Sequence, residues 1–196
     1  MSKLKLSSNA SGSGNVTLQS PNTDSDFTVT VPSGTGAMPL MKLETAVTAS
    51  GTAVDFTGIP SWVKRITVMF SGVSTSGTSQ PYLQLGDAGG VENTGYLSGI
   101  GSISTAANTT SGSITVTEAF PLYTGATVAL ASINGNLILS KLSGNIWTAS
   151  ATLLSGQRTT MMGGSKELSD TLTQVRITTA NGTDTFDAGT INILYE

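Results

Sequence analysis

Apolar and polar residues alternate most strictly between residues 58 and 96. Ile66, Val68 and Phe70 interleave with Arg65, Thr67 and Met69, the two-residue period of a strand with one buried face. Tyr82, Leu83 and Leu85 resume the apolar pattern after residues 74–79, a Ser/Thr/Gly run too polar for a core. Two long strands joined by an exposed loop are expected. Trp62, just after Pro60, is placed to close one end of the core they share.

The rest of the chain reads as shorter strands. Residues 3–6 alternate Lys and Leu, and 16–19 and 27–31 form a small hairpin around the turn 20–24, stopped by Pro32. Strands follow over 41–48, 53–56, 94–100, 114–116, 120–123, 128–133, 137–142, 146–154, 158–162, 172–179 and 191–195. Residues 86–90 read as a turn cluster and 101–113 as a small-residue loop. Asn134-Gly135-Asn136 is a hairpin signal, since Asn and Gly tolerate the positive φ of tight turns. Apolar residues nowhere recur at three-four spacing over ten positions; 166–172 comes nearest and reads as a loop or an approach to a strand. Roughly nine to twelve short strands without helices predict an all-β fold of two packed sheets, a jelly roll or related sandwich.

Composition agrees and narrows the chemistry. A chain of 196 residues is long enough for one medium domain with a small appendage. Charged residues make up 11%, against about 25% in an average soluble protein, while Ser, Thr and 23 Gly fill turns and outward strand positions. Net charge is −3, and the basic residues form no run, so the electrostatic footprint of nucleic-acid or anionic-membrane binding is missing. No apolar stretch approaches 18 residues and no charged-then-apolar leader follows Met1; neither membrane insertion nor secretion is expected.

The sequence has no cysteine and no histidine, which removes disulfides, thiolates, the commonest general base and the commonest transition-metal ligand. Carboxylates are few, and no strand carries an acidic pair of the kind glycoside hydrolysis needs, so neither an enzyme nor a cofactor is expected. Asp184 and Asp187 around Phe186, and Asp87 among glycines, read as turn caps before Ca²⁺ ligands. The 86–90 cluster lacks the spacing and the Lys of a phosphate loop.

The run Gly12-Ser13-Gly14-Asn15-Val16-Thr17-Leu18-Gln19-Ser20-Pro21, continuing through Phe27-Thr28-Val29-Thr30-Val31-Pro32 to Thr35-Gly36, resembles a segment recurrent in tailed-bacteriophage virion proteins, above all tail fibres. Phe56-Thr57-Gly58-Ile59-Pro60, Leu85-Gly86-Asp87-Ala88-Gly89-Gly90, Gly95-Tyr96 and Asn181-Gly182-Thr183-Asp184-Thr185-Phe186-Asp187 resemble a C-terminal globular domain of phage tail-fibre and other virion-surface proteins. Together the two resemblances cover nearly the whole chain. They imply a virion structural protein, a short fibre or capsid decoration protein assembled in the host cytoplasm and held on capsid or tail proteins. The other function they imply is a receptor-binding tip that recognises a bacterial surface glycan.

Two parts are therefore expected, an attachment and trimerisation segment over 1–40 and a β-sandwich over 41–196. The hairpin at 16–31 is too small to bury its apolar residues alone, and three copies around an axis would close a prism without free edges; a homotrimer follows. Lys3, Leu4, Lys5 and Leu6 form an alternating edge able to add to a partner's sheet and attach the protein to the virion. For a glycan, the stacking candidates are Trp62, Tyr82, Tyr96, Tyr123 and Trp147, although with aromatics at 6% most are needed inside the core.

Overall fold

Strand alternation builds two antiparallel sheets. The structure, a computed structural model, describes residues 40–104, 109–123 and 132–196, all within the second of two units into which the chain divides, Met38–Glu196. The expected hairpin at 16–31 and the attachment residues Lys3, Leu4, Lys5 and Leu6 lie outside the described residues.

The strands are β1 (Lys42–Leu43), β2 (Val47–Thr48), β3 (Ala53–Thr57), β4 (Arg65–Thr75), β5 (Pro81–Asp87), β6 (Gly90–Val91), β7 (Tyr96–Ser104), β8 (Thr109–Val116), β9 (Phe120–Pro121), β10 (Ile133–Ser143), β11 (Ile146–Ser155), β12 (Arg158–Glu167), β13 (Gln174–Thr179) and β14 (Phe186–Tyr195). The larger sheet has the order β1-β14-β4-β10-β11-β12-β7-β8, with β2 also on β14. The smaller runs β3-β13-β5-β6, with β9 also on β5. Neither sheet closes, and no helix occurs among the described residues.

One continuous core joins the two sheets. Ile66, Val68 and Phe70 of β4, Leu137 and Leu139 of β10, and Ile191 and Ile193 of β14 share it with Val54, Phe56, Leu83, Leu85, Val175 and Ile177 of the smaller sheet. Each such aliphatic or aromatic side chain contributes about 1.5–3 kcal/mol when fully buried. Trp62 stands at the rim, half-exposed, its ring tilted against Tyr195 at 5.7 Å.

The two long strands around the 74–79 loop are present and share one core as expected, in opposite sheets: β4 pairs with β10 and β14, whereas β5 pairs with β13. Two other segments differ from the sequence expectation. Asn134-Gly135-Asn136 is not a hairpin turn but part of β10, paired on both sides. The positive φ of Gly135 serves a register shift against β4, where Asn134 Oδ1 accepts the Gly72 N–H at 2.9 Å. The small-residue loop over 101–113 is largely strand. Ser102, Ile103 and Ser104 of β7 pair with Ser111, Thr110 and Thr109 of β8, because backbone pairing makes no demand on side-chain size.

The outer faces of the two sheets are unlike. On the smaller sheet the outward row Asp55–Arg176–Gln84 is charged and polar, and Arg176 forks onto Asp55 with bonds of 2.7 and 2.8 Å. On the larger sheet the outward positions of β14, β4, β10, β11, β12 and β7 are Thr, Ser, Asn, Gly, Met, Leu and Ile. Among the described residues charges stand on this face only at its ends, with Arg65, Glu196 and Glu167 at one and Asp187 at the other.

Candidate functional site

The groove that best suits a ligand lies on the outer face of the smaller sheet. Alternation along β5 buries Pro81, Leu83 and Leu85 and turns Tyr82 and Gln84 outward. Thr179 and Ala180 at the end of β13, Asn93 after β6 and Glu118 before β9 complete a groove of about 340 Å³. Gln84 Nε2 donates to the Glu118 carbonyl at 3.2 Å, tying the groove floor to its wall. Partial burial, and then the negative charge of Glu118, push the Tyr82 phenol above its ordinary value, so it stays protonated and able to donate at neutral pH.

A buried polar network fixes the rim. Lys166, 5% exposed, ion-pairs with Glu92, donates to the Glu167 carbonyl at 2.6 Å and lies 5.5 Å from the Tyr96 ring centroid. Glu92 also accepts the Ser169 N–H at 2.7 Å. Ser169 Oγ donates to Asp87 at 2.6 Å, and Asp87 accepts the Gly89 N–H at 2.8 Å. The Tyr96 hydroxyl accepts the Leu85 N–H at 2.7 Å and donates to the Glu92 carbonyl at 3.0 Å. These bonds hold residues 92–96, and with them Asn93, against β5.

The ionisation of the network follows from its contacts. Burial alone would raise Glu92, but Lys166 and the Ser169 N–H outweigh it and hold the carboxyl below its ordinary value. The Ser169 hydroxyl, followed by the Gly89 N–H, lowers Asp87 likewise. Burial pushes the Tyr96 phenol up.

Of the five aromatic candidates, the structure brings Tyr82 alone to this groove. Tyr96, Tyr123 and Trp147 are buried in the core and offer no ring face for stacking; Tyr96 is spent on the polar network and packs edge-on against Phe120 at 5.0 Å. Trp62 sits at the other end of the sandwich, near a smaller cleft of about 160 Å³ that includes Glu44 and Tyr195. That cleft has its polar groups engaged, since Tyr195 donates to Glu44 and Lys42 pairs with Glu44 at 2.7 Å.

Asp184 caps a turn, accepting the Ser79 N–H and an Asn181 amide N–H, each at 2.8 Å, and Asp187 accepts from the Ser74 hydroxyl. Among the described residues no group of three acidic side chains converges on a metal-sized space.

Sequence reasoning missed Gln84, Asn93 and Glu118. Gln84 could have been found, because it lies two residues from Tyr82 on the same strand and so on the same face. Asn93 and Glu118 are far apart in sequence and meet only because β6 and β9 both pair with β5. No protein-family model, no curated protein and no solved structure matches the chain.

Proposed function

We propose that this chain is a structural protein of a tailed-bacteriophage virion, a short trimeric fibre or capsid decoration protein that displays its β-sandwich on the particle surface. The observation that carries the reading is the contrast between the outer faces: one uncharged and suited to packing on protein, the other charged, grooved and suited to solvent. The two sequence resemblances point the same way. The groove's lining contains one carboxylate, Glu118, which suits binding rather than two-carboxylate hydrolysis.

Within this reading the sandwich is a jelly roll, with β2-β14-β4-β10 facing β3-β13-β5-β6 and β11, β12, β7 and β8 extending one edge. The placement of the last two strands supports it: β14 lies between β2 and β4, and β13 between β3 and β5, in opposite sheets. Residues 1–40 provide attachment to capsid or tail proteins and trimerisation. Quantitative mass spectrometry of purified particles is expected to find the protein at a copy number divisible by three. Deleting residues 1–11 should abolish its incorporation. Full incorporation of the deletion would place the attachment in the sandwich.

The groove favours a second reading, a receptor-binding tip for bacterial surface glycan. A half-exposed tyrosine ring flanked by amides and a carboxylate offers a stacking platform with hydrogen-bond partners for sugar hydroxyls. On a glycan array, Tyr82→Ala should lower binding at least tenfold and Trp147→Phe should leave it unchanged. Equal binding by wild type and Tyr82→Ala would remove the groove from recognition.

A further inference from the structure

We infer that the Tyr82 groove selects sugars that carry a free amino group over neutral and acidic ones, an inference that rests on the glycan reading of the groove and names its ligand class. The lining residues Tyr82, Gln84, Asn93, Glu118, Thr179 and Ala180 enclose about 340 Å³. That is near the lower end of the ~300–1,000 Å³ of small-molecule pockets, room for roughly one or two sugar rings. Among the described residues no lysine or arginine lines the groove, and none pairs with Glu118.

The charged groups beside the groove are already neutralised. Arg176, cross-strand from Gln84, forks onto Asp55 at 2.7 and 2.8 Å, and Glu92, next to Asn93 in the chain, pairs with buried Lys166. The Glu118 carboxylate is therefore the charge a ligand meets, and it is close enough to Tyr82 for its charge to act on the phenol. Gln84 Nε2 is committed to the Glu118 main-chain carbonyl at 3.2 Å, so what Gln84 has left for a ligand is its amide oxygen.

Acceptors and one unpaired negative charge call for a ligand rich in donors. An ammonium brings three N–H donors and a positive charge, and the face of a tyrosine ring attracts it as well. The carboxylate of a uronic or sialic sugar would meet Glu118 with no cation to balance it, an arrangement that rejects the ligand. A neutral sugar satisfies the acceptors through its hydroxyls but gains nothing from the charge. Stacking on the half-exposed Tyr82 ring requires the sugar ring itself, so an ammonium alone is not enough. Glu118 is exposed, and water and salt screen it, which keeps the preference to about fivefold.

The test titrates the full chain, followed by NMR, with the methyl glycosides of glucosamine, glucose and glucuronic acid and with butylamine. It is run in low salt at about pH 6, where an aliphatic amine is charged. The glucosamine glycoside is expected to bind about fivefold tighter than the glucose glycoside, the glucuronide about fivefold weaker, and butylamine more weakly than the glucosamine glycoside. Glu118→Gln should bring the three sugars within about twofold of one another, and so should raising the salt to about 0.5 M. Because Gln84 is held by the main-chain carbonyl of Glu118, the substitution leaves the groove floor in place. Tyr82→Ala should weaken all three sugars together. Equal affinities for the three sugars in the wild type, all lost in Tyr82→Ala, would overturn the inference and leave the glycan reading standing. A preference that survives Glu118→Gln would also overturn it, as would butylamine binding as tightly as the glucosamine glycoside. Sugars that bind neither protein, or bind Tyr82→Ala as well as wild type, would remove the glycan reading and the inference with it.

Discussion

Lys166→Ala is expected to cost about 3 kcal/mol of folding stability, near the lower end of what breaking a buried ion pair costs. Lys166 is 5% exposed and Glu92 21%, so removing the ammonium strands a carboxylate that little water can reach. The loss stays toward the lower end because Glu92 keeps the Ser169 N–H. Urea denaturation of the full chain should show the reduced midpoint, and Lys166→Met combined with Glu92→Gln should recover at least half of the loss. The same network sets an acid limit. Glu92 and Asp87 are both held below their ordinary values, so the stability they contribute is present above the unfolded-state values and disappears as pH falls through the folded ones. The melting temperature should be level from neutral pH down to about pH 5 and fall below it, less steeply once Lys166 is replaced by Met. A Lys166→Ala protein with the wild-type midpoint would mean that the pair holds nothing together.

Gly189→Ala should be at least as damaging. Gly189 has φ +93°, and a Cβ there would lie 2.5 Å from the backbone of Gly72 and Val73 on the paired strand. Opposite it Gly72 has φ +65°, and β4 and β14 shift register on both sides of Ala188. The two strands thus bend together through paired glycines, and the neighbour that must give way is main chain. Left-handed strain of about 1–2 kcal/mol adds to overpacking of about 1–3 kcal/mol or more. The expected loss is about 3–5 kcal/mol, enough to remove much of the stability of an ordinary domain. Gly163→Ala, where the added carbon meets nothing, should be neutral or gain about 0.5–1 kcal/mol in the monomer. Parallel denaturation curves distinguish the two; coincident midpoints would refute the close approach at Gly189.

Period-two alternation made the strands readable. The 146–154 segment is β11 almost to the residue, and Ile66, Val68 and Phe70 point into the core as their spacing requires. Partnership was not readable. Nothing local in 58–96 says that β4 and β5 belong to opposite sheets, because that depends on β13 and β14, about a hundred residues later. Asn134-Gly135-Asn136 misled for a physical reason: the positive φ that suits a hairpin turn also suits a bulge within a long strand. At the groove, Tyr82 was legible as an aromatic on an alternating strand, whereas Tyr96 and Trp147 carry the same local signature and are buried by the sheet opposite. The polar network was hidden for the same reason, as Asp87, Glu92, Lys166 and Ser169 sit on segments that only the topology joins.

A three-dimensional reconstruction of the virion, with the sandwich fitted into its density, tests the central claim most directly. The account predicts three-fold density on the capsid or tail in which the larger sheet of each copy is turned toward protein and the Tyr82 grooves point to solvent. Complete particles without that density, or copies with the larger sheet bare to solvent and the groove buried, would contradict it.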